Sequence, residues 1–302
     1  MTLAPIVLFV YNRPWHTQQT IEALQKNELS SESELFIYSD ALKAEKDQEK
    51  VQEVHDYVHS IGGFKKITII ERVENWGLAN SIIDGVTAIV NQYGKIIVLE
   101  DDLVTSPYFL KYMNDGLNLY EKSKDVISIH GYIYPVKGNL PETFFLRGAD
   151  CWGWATWKDK WTLFEPDGAK LLNELKQKEL IKRFDYNGTY LYSKMLKKQI
   201  EGKNNSWAIR WYASAFLKNK YTLYPGKSLV LNIGNDGSGT HCGETNEFSP
   251  VLGLTPVNIT NLKVVDDLHA LSKIETYFKA QQKGLVVRCA QFVIDHCKKG
   301  IN

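Results

Sequence analysis

The stretch that most constrains this chain is Lys95-Ile96-Ile97-Val98-Leu99-Glu100-Asp101-Asp102. Four consecutive apolar residues read as a strand buried on both faces, as inside a parallel sheet. Three carboxylates follow where such a strand would leave the sheet. In open α/β sheets, ligands bind outside the carboxyl ends of the strands, so a site is expected here. Adjacent carboxylates raise one another's pKa unless a cation or strong donors compensate. A divalent cation carrying a diphosphate would do so, because Mg²⁺ takes only one or two protein carboxylates and leaves the rest of its shell to phosphate and water. An acidic loop capping the next helix is the competing reading of the triplet.

Other segments repeat the same grammar. Pro5 to Val10 reads as a buried strand with Tyr11-Asn12-Arg13-Pro14 as its exit loop, and a helix is expected from about Thr17 to Gln25. Leu35 to Ser39 is a second strand ending on Asp40. Glu45 to Ile61 has helical spacing in Val51, Val54, Val58 and Ile61. Ile67 to Ile70 is a third strand, and Asn75 to Ala79 leads into a helix to about Gln92. Pro107 fits the first turn of a helix running to Tyr120. Strands alternating with helices of this length give a doubly wound, mostly parallel α/β sheet flanked by helices.

Past residue 125 the order loosens. Val126 to His130, Phe144 to Leu146 and Leu229 to Ile233 read as strands; Lys170 to Phe184, Tyr190 to Gln199 and a segment opening at Ser206 read as helices. Asp150-Cys151-Trp152-Gly153-Trp154-Ala155-Thr156-Trp157 fits neither one strand face nor one helix face. It reads either as a core plug, since Trp is highly buried on average, or as a loop over the sheet edge that stacks on a sugar. Gly234 to His241 has the composition of a phosphate loop without the GxxxxGK[ST] spacing, so a flexible turn competes with a ligand loop. The chain divides into a regular first half (1–122), a less regular second half (123–245) and a C-terminal helical extension (246–302).

Composition excludes some partners. The formal net charge of +1 argues against bulk nucleic-acid binding. The four cysteines are scattered without zinc spacing and read as reduced thiols of a cytoplasmic protein. No run approaches the roughly 20 apolar residues of a membrane span, and no signal peptide is apparent. The apolar and basic segment from Lys283 to Lys299 is expected to dock on the domain, with peripheral contact to an inner-membrane surface as its other reading.

Individually the polar candidates are weak. Arg13 can pair with a phosphate or cap a helix, Asp40 can accept from a base N–H or act as an N-cap, and His241 can complete a metal site begun by a carboxylate elsewhere. Together they place Arg13, Asp40 and Glu100 to Asp102 on one carboxyl edge.

With these residues in hand, the chain resembles the GT-A nucleotide-sugar glycosyltransferases, specifically the bacterial family-2-like proteins with a WGWATW segment. It is also distantly similar to the N-acetylglucosaminyltransferase I group. The carriers are IVLFVYNRP (6–14), ENWGLANSI (74–82), IVLEDDLVTSPYFLKYM (97–113), WGWATWKDKW (152–161), SWAIRWYAS (206–214) and GNDGSGTHC (234–242). The resemblance implies a metal-dependent, inverting transfer of a sugar from a nucleotide diphosphate donor, a UDP-sugar first, to a hydroxyl of a glycan or lipid-linked glycan. It implies Mn²⁺ or Mg²⁺ held by Asp102, with His241 as a second ligand. Arg13 would contact the nucleotide and Asp40 the base, Glu100 and Asp101 would face the ribose and donor sugar, and Asn75 and Trp154 would join the donor pocket. The general base of such relatives falls on Asn205, whose amide cannot take a proton, so Asp150 or Asp236 would have to serve, with Asp150 preferred. A non-catalytic nucleotide-sugar or glycan binder and a nucleotidyltransferase are the alternatives.

Overall fold

The computed structural model describes residues 2–238, 245 and 247–282. Its first half is built as the alternation requires: β1 (Ile6–Val10), α1 (Pro14–Gln25), β2 (Glu34–Ser39), α2 (Gln48–Ser60), β3 (Lys66–Glu71), α3 (Gly77–Tyr93) and β4 (Lys95–Glu100). Then follow β5 (Leu103–Thr105), α4 (Phe109–Leu119), β6 (Val126–His130), β7 (Thr143–Arg147), β8 (Trp154–Trp157), α5 (Lys158–Trp161), α6 (Gly168–Gln177), α7 (Ile181–Phe184), α8 (Tyr192–Ile200), α9 (Trp207–Leu217), β9 (Tyr221–Pro225) and β10 (Val230–Asn232). A further helix occupies 268–282.

One eight-stranded sheet runs through both halves in the order β3-β2-β1-β4-β8-β6-β9-β7, and β5 pairs separately with β10. β3, β2, β1 and β4 are parallel, β8 runs antiparallel to both β4 and β6, β9 is parallel to β6, and β7 is antiparallel to β9. The sheet is therefore mixed but mostly parallel, and helices flank it. Strand alternation divides its core in two. Ile6, Leu8, Ile97 and Leu99 face the layer containing Ile21, Leu24 and Val54, while Val7, Phe9, Ile96 and Val98 face the layer of Ile82, Val86 and Trp211. Both faces are covered, which is why the strands read as continuous apolar runs. At Gly85 of α3 a Cβ would stand 2.9 Å from the Phe9 ring, so that glycine sets how closely the helix approaches the sheet.

Two expectations change. The tryptophan stretch is not a loop over the edge: residues 154–157 are the central strand β8, paired through Val98↔Trp154 and His130↔Trp154. The single helix expected over 170–184 is two, α6 and α7, broken where Glu179 adopts φ 56°. The strand after Leu229 leaves the main sheet to pair with β5. Among the described residues no helix is long and apolar enough to cross a membrane. The segment 283–302, on which the membrane contact was placed, lies outside the described residues.

Candidate functional site

β4 delivers Glu100, Asp101 and Asp102 to the carboxyl edge of the sheet, next to the end of β1, where Arg13 stands at the N-terminus of α1. The guanidinium is held by both aspartates. Nε donates to Asp101 Oδ2 at 3.2 Å, Nη2 donates to Asp102 Oδ2 at 2.9 Å, and Nη2 also bonds Asp101 Oδ1. Burial opposes the charge of Arg13, but the two carboxylates outweigh it and raise its pKa above the ordinary value. Asp101 is 5% exposed, and Thr20 Oγ1 donates to its carbonyl at 2.8 Å. It therefore anchors Arg13 from below instead of facing a ribose or sugar. Burial raises its pKa and Arg13 opposes the rise.

Glu100 is the member left without that cation. Desolvation, then the charges of Asp102 and Asp101, push its pKa up to about 8, against the pull of Arg13 and a hydrogen bond from the Trp207 indole. Burial comes first and the two neighbouring carboxylates add to it, so Glu100 resists carrying its charge unless a cation stands beside it. This is the condition under which a divalent cation fits. Among the described residues no three His, Cys, Asp or Glu side chains are arranged to hold a metal alone. A hard cation that shares its shell with phosphate and water needs only one or two protein carboxylates, and Asp102 with Glu100 satisfies that donor chemistry.

Two further loops close on the triplet. After β10, the Ile233 N–H donates to the Asp102 carbonyl at 2.9 Å, and Gly234 lies directly against the Asp102 carboxylate. Beyond it Asp236 Oδ2 sits 3.0 Å from His16 Nε2, and two bonds from Ser238 hold the Asp236 pKa down at about 2. The second loop precedes β8. Because β8 is antiparallel to β4, its beginning lies beside the end of β4, and residues 150–153 pass the triplet. The buried Cys151 thiol interacts with Asp150, Glu100 and Asp102 together, and burial, ahead of these charges, pushes its pKa far up.

Several expected roles are corrected here. Asp40 Oδ1 accepts from the Ala41 and Trp76 N–H groups (3.1 and 2.9 Å) and Oδ2 from the Gly77 N–H at 2.8 Å. At 6% exposure the carboxylate caps α3, the helix after the next strand, and is not free to read a base. Asn75 Nδ2 donates to the Ala41 carbonyl at 2.6 Å and ties the same two loops together. Trp154 is 0% exposed, with its ring 5.4–5.8 Å from those of Trp161, Trp207 and Trp211, so the core reading holds and stacking on a donor sugar does not. The fork of Arg13 grips the carboxylates of Asp101 and Asp102. Asn205 is exposed just before α9, two residues from Trp207, and accepts from Arg210 at 3.5 Å. His241 lies outside the described residues. The sequence reading missed His16, His130 and the Trp207–Glu100 bond. Of these only His130, a histidine on the last position of a buried strand, carried a readable signal.

Two surface hollows of about 250 and 300 Å³ are present. One is lined by Lys111, Asp115 and Ile259, the other by Arg147, Arg183 and Asp266, and neither borders the triplet.

No protein-family model and no curated protein matches this sequence. Solved structures do. A mannosyltransferase from Pyrobaculum calidifontis, in complex with GDP-Man and Mn²⁺, is 11% identical with a TM-score of 0.32, over 44% of this chain and 36% of its own. A fragment of S. aureus TarS is 11% identical with a TM-score of 0.40, over 76% and 59%. A UDP-glucose pyrophosphorylase complexed with UDP-glucose is 10% identical with a TM-score of 0.37, over 74% and 90%. The chain thus spans less than two thirds of the length of the first two. At such scores these likenesses carry no argument about chemistry, which has to come from the site.

Proposed function

We propose that this protein is a metal-dependent glycosyltransferase of the inverting type, moving a sugar from a nucleotide diphosphate donor to a hydroxyl of a glycan or lipid-linked glycan. The observation that carries the reading is the acid triplet at the end of β4, held by Arg13, shielded by Gly234 and left with an unbalanced Glu100. Asp102, with Glu100, would hold Mn²⁺ or Mg²⁺, which when bound neutralises charge on the diphosphate as it leaves. Arg13 keeps both aspartates oriented for this. A UDP-sugar is the first donor to test.

The acceptor oxygen attacks the anomeric carbon while the bond to the leaving phosphate breaks, and a base must take the hydroxyl proton. Asp236, held near 2 by Ser238, is a poor base. Asn205 has no proton-accepting oxygen of use. Asp150 has a partly exposed carboxylate in the loop that passes the triplet, and is the base in this reading. A hexosyl or N-acetylhexosaminyl donor and a cytoplasmic, polysaccharide-building setting belong to the same proposal.

Calorimetry with UDP-, GDP-, CMP- and dTDP-sugars, each with Mn²⁺ and with chelator, tests it. One nucleotide class should bind only with metal, and Asp102→Ala should abolish that dependence while the fold survives. No response to any nucleotide would overturn the reading. A binder without transfer is the second reading, favoured by the amide at Asn205, and would release no nucleoside diphosphate.

A further inference from the structure

Resting on the transferase reading and on Asp150 as its base, the geometry points to His130 as a positioning residue that donates from Nδ1 to Asp150 Oδ2 and fixes that carboxylate for the acceptor hydroxyl. His130 closes β6, which runs parallel to β4, so it reaches the same sheet edge as the triplet. Its side chain is fully buried. The backbone N–H of Trp152 donates to its Nε2 at 3.1 Å. A ring nitrogen that accepts is unprotonated, so the network assigns the proton of the neutral imidazole to Nδ1. Burial keeps the ring neutral by lowering its pKa, with Asp150 and the Tyr132 backbone opposing.

That Nδ1 is buried and makes no hydrogen bond of normal geometry; the Tyr132 backbone approaches the ring, and Asp150 Oδ2 stands 3.9 Å away. The imidazole cannot turn to find another partner, because the rings of Tyr224 and Tyr132 pack against it at 5.1 and 6.2 Å. Asp150 is anchored by its other oxygen, Oδ1, which accepts the Cys151 N–H at 2.8 Å. One oxygen is therefore fixed and the other faces a donor about 0.7 Å beyond bonding range. Contacts of this kind tighten when substrate fills a site.

The proton count is simple. The acceptor hydroxyl gives its proton to Asp150, and His130 keeps its own throughout, since its second nitrogen is filled by Trp152. His130 orients the base and relays nothing.

Two substitutions separate this role from simple support of the Trp152 turn. In His130→Asn the amide nitrogen takes the place of Nδ1 and can donate to Asp150, while the bond from Trp152 is lost. In His130→Gln the amide carbonyl reaches the place of Nε2 and keeps Trp152, while the donor to Asp150 is lost. The readout is UDP release from UDP-glucose and UDP-N-acetylglucosamine with Mn²⁺ and water as acceptor. Asn is expected to keep kcat within about fivefold and Gln to lose about 100-fold, the low end of a general base's contribution, with donor KM unchanged in both. The reverse order would show a structural role and overturn the inference. Ring ¹⁵N NMR, of the unsubstituted protein for the tautomer and of Asp150→Asn for the contact, tests it without turnover. The Nδ1–H tautomer is expected, with a shift at that nitrogen in Asp150→Asn; an Nε2–H tautomer, or no shift, overturns it. If no donor binds, the transferase reading fails alone, and the NMR result still decides the contact.

Discussion

Replacing Gly234 with alanine adds one methyl group at the most crowded point of the site. Its Cβ would stand 2.8 Å from Asp102 Cγ, closer still to Oδ2, and 2.9 Å from Arg13 Nη1. Real Cβ atoms essentially never approach within 3.0 Å, so the carboxylate or the loop must retreat. Asp102 cannot yield freely, because its Oδ2 is bonded to Arg13 at 2.9 Å and its side chain is only 13% exposed. Overpacking of this kind costs about 1–3 kcal/mol. For chains of 150–250 residues each kcal/mol lowers the melting temperature by roughly 2–4 °C, and somewhat less for a longer one. Gly234→Ala should therefore melt a few degrees lower. Since the atom displaced is the proposed metal ligand, Mn²⁺-dependent donor affinity should fall about tenfold or more, equivalent to about 1.4 kcal/mol. Differential scanning fluorimetry and calorimetry of the two proteins, side by side, give both numbers. An alanine variant with unchanged melting and binding would refute the contact between this loop and the acid triplet.

Glu100→Gln reports the charge imbalance. The folded pKa of about 8 lies above the ordinary 4.5, so the folded state holds the extra proton. The associated stability is full below about 4.5 and is lost as pH rises towards 8. Metal-free protein should melt progressively lower between pH 5 and 8, and the glutamine variant should show a flatter slope; an identical slope would contradict the assignment. Asp40→Ala removes the acceptor of three backbone N–H groups and should cost about 0.5–2 kcal/mol, as helix caps do, without altering nucleotide preference. A changed preference at unchanged stability would return Asp40 to base reading. Asn205→Asp should raise turnover if that position is a vacated base, whereas Asp150→Asn should lower it by about 10²–10⁴ if Asp150 serves. The two measured together assign the base.

The parallel half of the sheet is legible because β1, β2 and β4 are apolar runs and β3 is nearly one, broken only by Thr68, and because its helices carry their own periodicity. β8 escaped because Trp-Ala-Thr-Trp lacks a β-branched run and its pairing partners, β4 and β6, are distant in sequence. The break between α6 and α7 turns on the left-handed backbone of Glu179, which no pattern announces. At the site, the acid triplet was readable because three carboxylates ending a buried strand demand compensation. The tasks of Asp40 and Asp101 were not. Whether a carboxylate caps, anchors or binds depends on which distant loop folds onto it, and for Asp40 that loop is 75–77, which follows β3.

The indoles of Trp161, Trp207 and Trp211 lie with ring centroids 5.4–5.8 Å from that of Trp154, Trp161 and Trp211 are 5.1 Å apart, and the one at the edge of the group, Trp207, donates its N–H to Glu100. Rings this close exchange excitation energy before they emit, so the group behaves optically as one chromophore. Its emission and its near-ultraviolet dichroism are therefore wired to the charge of a single carboxylate. Whatever titrates or neutralises Glu100 should change the emission of this group, without a label and without a turnover.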